Sequence, residues 1–319
     1  MRKSLRFMSV ASLALAAACG GGGEGDGDDD GTDVDAGNNP PAEGFRIESP
    51  DITIEAGQEI TYCYYTTIDI PRTMGVKRWS SVMTPGSHHL IVFFQDHDKA
   101  DGAIDQNCGG VGGGISNLPV WTYSAQTPQQ EQAMPTGVGM QVNQGQKAYV
   151  QMHYFNATDA PIQAHVVIDA EAYAASETYT PAAAYVTYNT QINIPANSTG
   201  MAQGTCAVPP GTKFFTMSTH AHKRATLTRV TDGGEMVFES DNWEHPGART
   251  WSTNPFFEFA SDSLTYRCEY NNTSNMVVRE GDSAATDEMC MAVGYYFIEG
   301  STTANSRFCV DSFLVPEGI

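Results

Sequence analysis

From residue 45 to its end, the chain consists of short segments in which apolar residues alternate with polar ones or form brief apolar runs. Alternation with a period of two is typical of β-strands, because successive side chains point to opposite faces of a sheet. Gly, Pro, Asn and Asp separate the segments, and no long stretch has the 3.6-residue apolar period of a helix. The pattern predicts an all-β fold, with strands within residues 52–68, 88–94, 147–158, 164–173, 213–222, 225–231, 263–273 and 291–298.

The large number of short predicted strands favours β-sandwich, jelly-roll-like domains. The small-residue stretch "AYAASETYTPAAAY" interrupts the strand pattern near the middle of the chain. It divides the body into residues 45–175 and 176–319, and each part has the length of an ordinary domain. We therefore expect two tandem β-sandwich domains.

The first 44 residues have a different composition. Three basic residues precede an apolar segment that is too short to span a membrane, as in a secretory signal peptide. The segment ends in "LAAACG", which resembles a bacterial lipobox and implies a signal peptide at 1–18 with lipidation of Cys19. The Gly- and Asp-rich linker at 19–44 is expected to be a disordered tether. The protein is then exported and lipid-anchored to the bacterial cell envelope, at the outer membrane; an ordinary signal peptide with a chance cysteine is the alternative.

Charge and cysteine content limit the function classes. The chain has 319 residues and a formal net charge of −20, which argues against a nucleic-acid partner because such proteins need a basic surface. Of the seven cysteines, six remain once Cys19 is assigned to the lipid. An even number in an exported protein predicts three disulfides, although the count leaves fifteen pairings open. No C-x-x-C motif suggests a zinc ribbon or a thioredoxin-like site.

Histidines provide the candidate chemistry. His220 and His222 lie two apart in a predicted strand, so both rings share one face, which suits two ligands of one metal ion. His88 and His89 are adjacent and follow a Pro-Gly turn, where irregular backbone at a strand start can bring both rings to one side. His153, in another predicted strand, can complete a site. Either pair alone also arises by chance, and a lone buried histidine is more often a core residue.

Four motifs, in order, resemble one enzyme family. "GSHHLIVFF", "VQMHYFN", "STHAH" and "DEMCMAVGYY" follow one another as in the copper type II, ascorbate-dependent monooxygenases, the family of peptidylglycine alpha-hydroxylating monooxygenase and dopamine beta-monooxygenase. The similarity extends from about residue 45 to the end. The resemblance implies two β-sandwich domains with one copper ion each, and a bacterial lipoprotein member of the family.

The resemblance also implies a role for each motif residue. The first copper ion would be held by His88, His89 and His153. The second, catalytic copper ion would be held by His220, His222 and Met289. By the same analogy, the disulfides would join Cys63 to Cys108, Cys206 to Cys309, and Cys268 to Cys290.

The ligand types agree with copper on chemical grounds. Imidazole suits copper in both oxidation states, and a soft thioether favours Cu(I), whereas zinc sites rarely use methionine. The alternative for Met289 is core packing, a common role of methionine. His245, which precedes a proline in a predicted loop, can be a surface residue or line a substrate pocket.

Two positions differ from the family pattern. Ser218 stands two residues before the H-x-H motif, where the peptide-amidating members carry an arginine that meets a substrate carboxylate. Val293 stands four residues after Met289, where family members often have tyrosine. The copper ligands match while these pocket residues do not, so neither peptide amidation nor catecholamine hydroxylation is expected.

The sequence therefore predicts a copper-dependent monooxygenase that hydroxylates a C–H bond of a small-molecule or peptide substrate. Its cofactors would be two copper ions, and its cosubstrates O₂ and ascorbate or another one-electron donor. A non-catalytic copper-binding lipoprotein, for sequestration or sensing, is the main alternative. An adhesion module in which the histidines are incidental is a third possibility. We expect no nucleic-acid partner, and contact with a membrane only through the lipid anchor.

Overall fold

A computed structural model describes residues 40–106, 108, 119–281 and 283–315. The expected signal peptide, Cys19 and most of the expected linker lie outside these residues. Every regular element within them is a β-strand, which confirms the all-β prediction. In the same ranges, no helix is long and apolar enough to cross a membrane.

Strands follow one another along the whole described chain, joined by turns and short loops. In the first half they are β1 (Gly44–Glu48), β2 (Ile52–Ile54), β3 (Glu59–Ile68), β4 (Met74–Met83), β5 (Ser87–Phe94), β6 (Ile104–Asp105), β7 (Val120–Ala125), β8 (Gln129–Ala133), β9 (Val138–Val142), β10 (Gln146–Phe155), β11 (Ile162–Ala164) and β12 (Val166–Ala172). In the second half they are β13 (Thr180–Tyr188), β14 (Asn193–Ile194), β15 (Ser198–Ala207), β16 (Thr212–Ala221), β17 (Ala225–Asp232), β18 (Glu235–Ser240), β19 (Arg249–Thr250), β20 (Ser263–Asn272), β21 (Val278–Arg279), β22 (Cys290–Ile298), β23 (Arg307–Val310) and β24 (Phe313–Leu314).

Three sheets carry most of the structure. An eleven-stranded sheet has the central order β1-β12-β4-β9-β13-β22-β16-β19 and passes from the first half to the second where β9 and β13 pair in parallel. A five-stranded sheet, β6-β3-β10-β5-β7, belongs to the first half, and a four-stranded sheet, β15-β20-β17-β18, belongs to the second. Two clusters of buried apolar residues fill the layers between the sheets, as expected for β-sandwiches.

The two halves repeat one strand order, since β3-β10-β5-β7 corresponds to β15-β20-β17-β18. A buried asparagine follows the second strand of the first series and ends that of the second. The side-chain amide of Asn156 donates to three backbone carbonyls, those of Ile54, Glu55 and Ala160. Asn272 makes the equivalent three bonds, to Ile194, Pro195 and Met276. Each asparagine thereby satisfies loop carbonyls that burial removes from water.

The strands β13 and β22 are buried on both faces. Along β13, Ala183 and Tyr185 belong to the apolar cluster of the second half, whereas Ala182 and Ala184 pack into the cluster of the first half. The same alternation continues along β22. A strand that is buried on both faces reads as a continuous apolar run, as "MAVGYYFI" does. The apolar core of the first half therefore extends onto one face of β13 and β22 in the second half.

Three disulfides join the strands, with the pairing that the resemblance implies: Cys63–Cys108, Cys206–Cys309 and Cys268–Cys290. The last of these links β20 to the first residue of β22, directly after Met289. The segment that carries this methionine is thus tied covalently to the neighbouring sheet.

Candidate metal centre

A β-bulge brings His88 and His89 together at the start of β5. In the pairing of β5 with β10, His89 lies opposite His153 and Ser87 lies opposite Tyr154, so His88 is an extra residue without a partner. A bulge breaks the alternation of side chains, and both imidazoles reach the same side. The two rings lie 5.1 Å apart, centre to centre. The expectation of irregular backbone at this point is confirmed.

The first group of histidines can hold a metal ion. One ring nitrogen from each of His88, His89 and His153 lies within 4.8 Å of the others. Three buried ring nitrogens have no hydrogen-bond partner among the described residues: Nε2 of His88, Nδ1 of His89 and Nδ1 of His153. A buried polar atom without a partner is costly, and a metal ion would satisfy all three.

Glu59 orients His153. The carboxylate accepts a hydrogen bond of 2.9 Å from Nε2 of His153, so the proton of a neutral ring lies there and Nδ1 carries the lone pair. A carboxylate behind a ligating histidine fixes the ring and makes it a better electron donor. Glu59 is on β3, one strand away, and pairs with Phe155, two residues beyond the histidine.

The second pair of histidines lies at the end of β16. His220 is the second-last residue of the strand and pairs with Met291, while His222 lies just past the strand end. Nδ1 of His222 donates to the carbonyl of Asp287 at 3.3 Å, which leaves the buried Nε2 without a partner. The backbone of this turn is held by the fully buried Glu288, whose carboxylate accepts from the N–H groups of His222 at 3.1 Å and Arg224 at 2.8 Å.

All five histidines form one cluster between the two halves. The ring of His220 lies 5.3 Å from that of His89 and 6.1 Å from that of His88. His222 lies 5.4 Å from His220 and 6.5 Å from His88. The two expected ligand sets are therefore neighbours rather than separate sites at the far ends of two domains.

Met289 lies beside the cluster. It lines a cavity of about 320 Å³ together with His89, His153 and His220. Its backbone carbonyl accepts a hydrogen bond of 2.8 Å from the hydroxyl of Tyr270. The disulfide at Cys290 and this bond both fix the backbone that carries the thioether.

Burial keeps these imidazoles neutral. It lowers the pKa of His88 to about 4 and that of His222 to about 3, because the charged ring loses its hydration. The pKa values of His89 and His220 fall well below the ordinary value for the same reason, and the neighbouring histidines add to the effect. Neutral imidazole is the form that binds metal, so these four ligand candidates need no deprotonation at neutral pH.

These pKa values predict an acid-sensitive metal-free protein. An unfolded histidine titrates near 6.5, so below that pH the unfolded state binds more protons than the folded one, and folding stability falls. Between pH 6.5 and 4 we expect a loss of roughly 3 kcal/mol from His88 alone. Thermal unfolding of copper-free protein across this range measures the effect.

A double variant and a control make this measurement specific. His88→Asn with His89→Asn should flatten the acid limb of the stability profile. His165→Asn, which removes a partly exposed histidine outside the cluster, should keep the acid limb that the cluster causes. An acid limb of full size in the double variant would contradict the assignment.

The sequence of the second half matches a known family. Residues 182–315 match the family model for the C-terminal domain of copper type II ascorbate-dependent monooxygenases. The second half of the chain is therefore similar to the C-terminal domain of this family. The match contains His220, His222 and Met289, and it begins in β13, one of the two strands that are buried on both faces. A copper-dependent family accords with a cluster of neutral, unpartnered imidazole nitrogens.

Comparison with curated proteins gave no match. Among solved structures, the chain is similar to PNGase F, a glycosylasparaginase from Flavobacterium meningosepticum, with 9% identity and a TM-score of 0.38 over 80% of this chain and 98% of that chain. It is also similar to a chain of Sulfolobus turreted icosahedral virus, with 9% identity and a TM-score of 0.19 over 82% of this chain and 62% of that chain.

The structure adds residues to the site that the sequence did not single out. Glu59 and Glu288 hold ligand candidates from behind, and Trp243 packs its ring 5.3 Å from that of His88. His245 lines a second cavity together with His89 and His220, in agreement with one of the two interpretations of this residue. The signal for His245 was weak because a loop histidine before a proline has no periodicity that would assign it a side.

Proposed function

We propose that the protein is a copper-dependent monooxygenase that hydroxylates a C–H bond of a small-molecule or peptide substrate. The observation that carries the proposal is the convergence of five histidines in a buried cluster, in which four ring nitrogens have no partner. The family match in the second half supports the same chemistry.

Each ligand set has a distinct role in this proposal. His220, His222 and Met289 would hold one copper ion beside the space for the substrate. His88, His89 and His153 would hold a second copper ion. Bound copper would supply the one-electron steps and the activation of O₂. The protein contributes neutral ligands, a carboxylate at Glu59 that orients one of them, and a site from which bulk water is excluded.

The proposed reaction balances with an external reductant. One atom of O₂ enters the substrate C–H bond to give an alcohol, and the other leaves as water. Two electrons come from two molecules of a one-electron donor such as ascorbate, and two protons come from solvent. The family is ascorbate-dependent, so ascorbate is the first donor to test.

Copper loading tests the ligand assignment. Elemental analysis after loading and desalting should give two copper ions per chain. Because the five rings lie within a few ångströms of one another, the two Cu(II) ions should broaden each other's paramagnetic resonance lines. The double variant His220→Ala and His222→Ala should retain one copper ion with sharp lines, and His165→Asn should retain both. A copper content near zero in the wild type would end the proposal.

Oxygen labelling tests turnover. Copper-loaded protein, ascorbate and ¹⁸O₂ should introduce one labelled oxygen atom into a compound from a panel of neutral and charged candidates, as detected by mass spectrometry. Normal copper content without labelling of any compound would favour sequestration or sensing over catalysis.

We also propose that the mature protein is exported and anchored by lipid at Cys19. The support is the basic residues, apolar segment and lipobox-like "LAAACG" of the first 20 residues. Several acyl chains would hold a folded domain stably at a membrane. Mass spectrometry of the membrane-extracted protein should find an acylated N-terminal Cys19, and a mature chain that begins elsewhere would refute this.

A further inference from the structure

A cavity of about 390 Å³ opens next to the histidine cluster, between the two halves. His89 and His220 both line it. Its volume is in the range of ordinary small-molecule sites, which are lined mainly by apolar groups with a few polar ones. A ligand in this cavity would therefore contact one histidine of each proposed copper site.

The buried part of the cavity wall is apolar. It consists of Ile91, Trp121, Phe215, Val293 and Tyr295, each less than 10% exposed. The first two extend from the strands β5 and β7 of the first half, and the others from β16 and β22 of the second. Such walls favour an apolar or aromatic group at the inner end, where the C–H bond to be hydroxylated would lie.

The outer part of the wall is polar but carries little charge. Its side chains are mostly those of Ser, Thr and Gln, and none of the described residues that line the cavity is lysine or arginine. The one carboxylate, Glu131, is 49% exposed and lies 3.9 Å from Arg78. Ser218 also lines this part of the wall and donates its hydroxyl to the carbonyl of Gly247 at 2.6 Å.

A loop of the second half, residues 241–248, closes one side of the cavity. Nδ1 of His245 donates to the backbone carbonyl of Gln126 in the first half at 3.0 Å, and the hydroxyl of Ser218 donates to Gly247, two residues further along the loop. In the neutral ring, Nε2 of His245 is then a hydrogen-bond acceptor at the edge of the cavity. It can accept from a hydroxyl or amide group of a ligand.

We propose that this cavity binds the substrate, and that the substrate is a neutral molecule with an apolar, aromatic-sized reacting end and an uncharged hydroxyl or amide at the other end. A carboxylate or phosphate would lose hydration on entry and find no cation to compensate it. The proposal rests on the monooxygenase function, since it names the class of compound that this site hydroxylates. His245 would contact the polar end of the substrate directly, whereas Ser218 is a positioning residue that holds the loop through Gly247.

Matched probes test the proposal. Naphthylacetamide and naphthylacetate have nearly the same shape and differ in charge, and the naphthyl ring reports binding by fluorescence anisotropy. The metal-free wild type should bind the amide at least about tenfold more tightly than the carboxylate. Val293→Phe, which fills the inner end, should abolish amide binding. Equal or tighter binding of the carboxylate, or binding of neither probe, would overturn the proposal.

Variants that add a positive charge to the cavity wall complete the test. Ser218→Arg should tighten binding of naphthylacetate about tenfold or more, because the guanidinium meets the carboxylate. Thr250→Arg puts the cation on an exposed residue at the rim and should also tighten binding of naphthylacetate. It replaces Ser218→Arg in the test if that variant fails to fold. Unchanged carboxylate binding in a folded variant would also overturn the proposal. Because binding is measured without copper, these failures are distinct from a failure of copper loading.

Discussion

Replacing Met289 by isoleucine should abolish oxygen-dependent hydroxylation while leaving the fold intact. Isoleucine is apolar and similar in volume, and such exchanges usually cost less than about 1.5 kcal/mol even in a core. The thioether is lost, however, and with it the preference of His220 and His222 for Cu(I). Loss of an outer-shell partner alone weakens metal binding about 10–100-fold, so a lost ligand should weaken Cu(I) binding by about 100-fold or more. X-ray absorption of the reduced protein should show a copper–sulfur shell only in the wild type.

Met291→Ile is the matched control for this variant. Met291 is buried in β22, two residues after Met289, and lines the same cavity, but it has no proposed ligand role. It should retain the copper–sulfur shell, Cu(I) affinity and turnover. If reduced wild-type protein shows no sulfur near copper, Met289 serves only packing and the ligand set of the second half needs revision.

Replacing Glu288 by alanine should lower the free energy of unfolding more than the other single substitutions considered for this protein. This carboxylate is fully buried and accepts from two backbone N–H groups, and it lies 3.7 Å from the guanidinium of Arg224. Its removal leaves two donors unpaired and one cation uncompensated, which typically costs about 3–5 kcal/mol. The turn that follows His220 would no longer be fixed to the segment before Met289, so the copper ion of that set should be lost as well.

Glu299→Ala is the control for this effect. Glu299 pairs with Lys213 at the surface, where its side chain is 76% exposed, and such pairs contribute about 0–1 kcal/mol. Urea unfolding of both copper-free variants compares the two losses directly. A Glu288→Ala protein that unfolds at the wild-type urea concentration and keeps both copper ions would contradict the bridging role.

The fold was predictable from the sequence because it follows from local patterns. Alternation of apolar and polar residues gave the strand class, and the Pro-Gly turn before His88 indicated the irregular backbone that allows two adjacent ligands. The two-residue period of a strand predicted that His220 and His222 lie together, although the structure ends β16 at Ala221 and the turn after it places His222. The division at 175 stays a prediction, although the eleven-stranded sheet crosses that position.

The contacts between distant segments were not predictable. Glu59 reaches His153 because β3 and β10 pair in one particular register, and a register is not visible in the composition of either strand. The approach of His220 to His89 depends on how the two halves pack. That packing involves the face of β22 that lies against the core of the first half. Each histidine motif could be read alone, but their convergence required the three-dimensional arrangement.

The strands that are buried on both faces limit how a protein of this kind can change in evolution. If the second half were separated, Met291, Val293, Tyr295 and Phe297 would present an apolar face to water, and a surface of this kind tends to aggregate. Recombination that exchanged whole halves between relatives would have to match this face residue by residue. New substrate preferences are therefore expected to arise by point substitutions in the cavity wall and by changes of length in the 241–248 loop, while the two halves are inherited together.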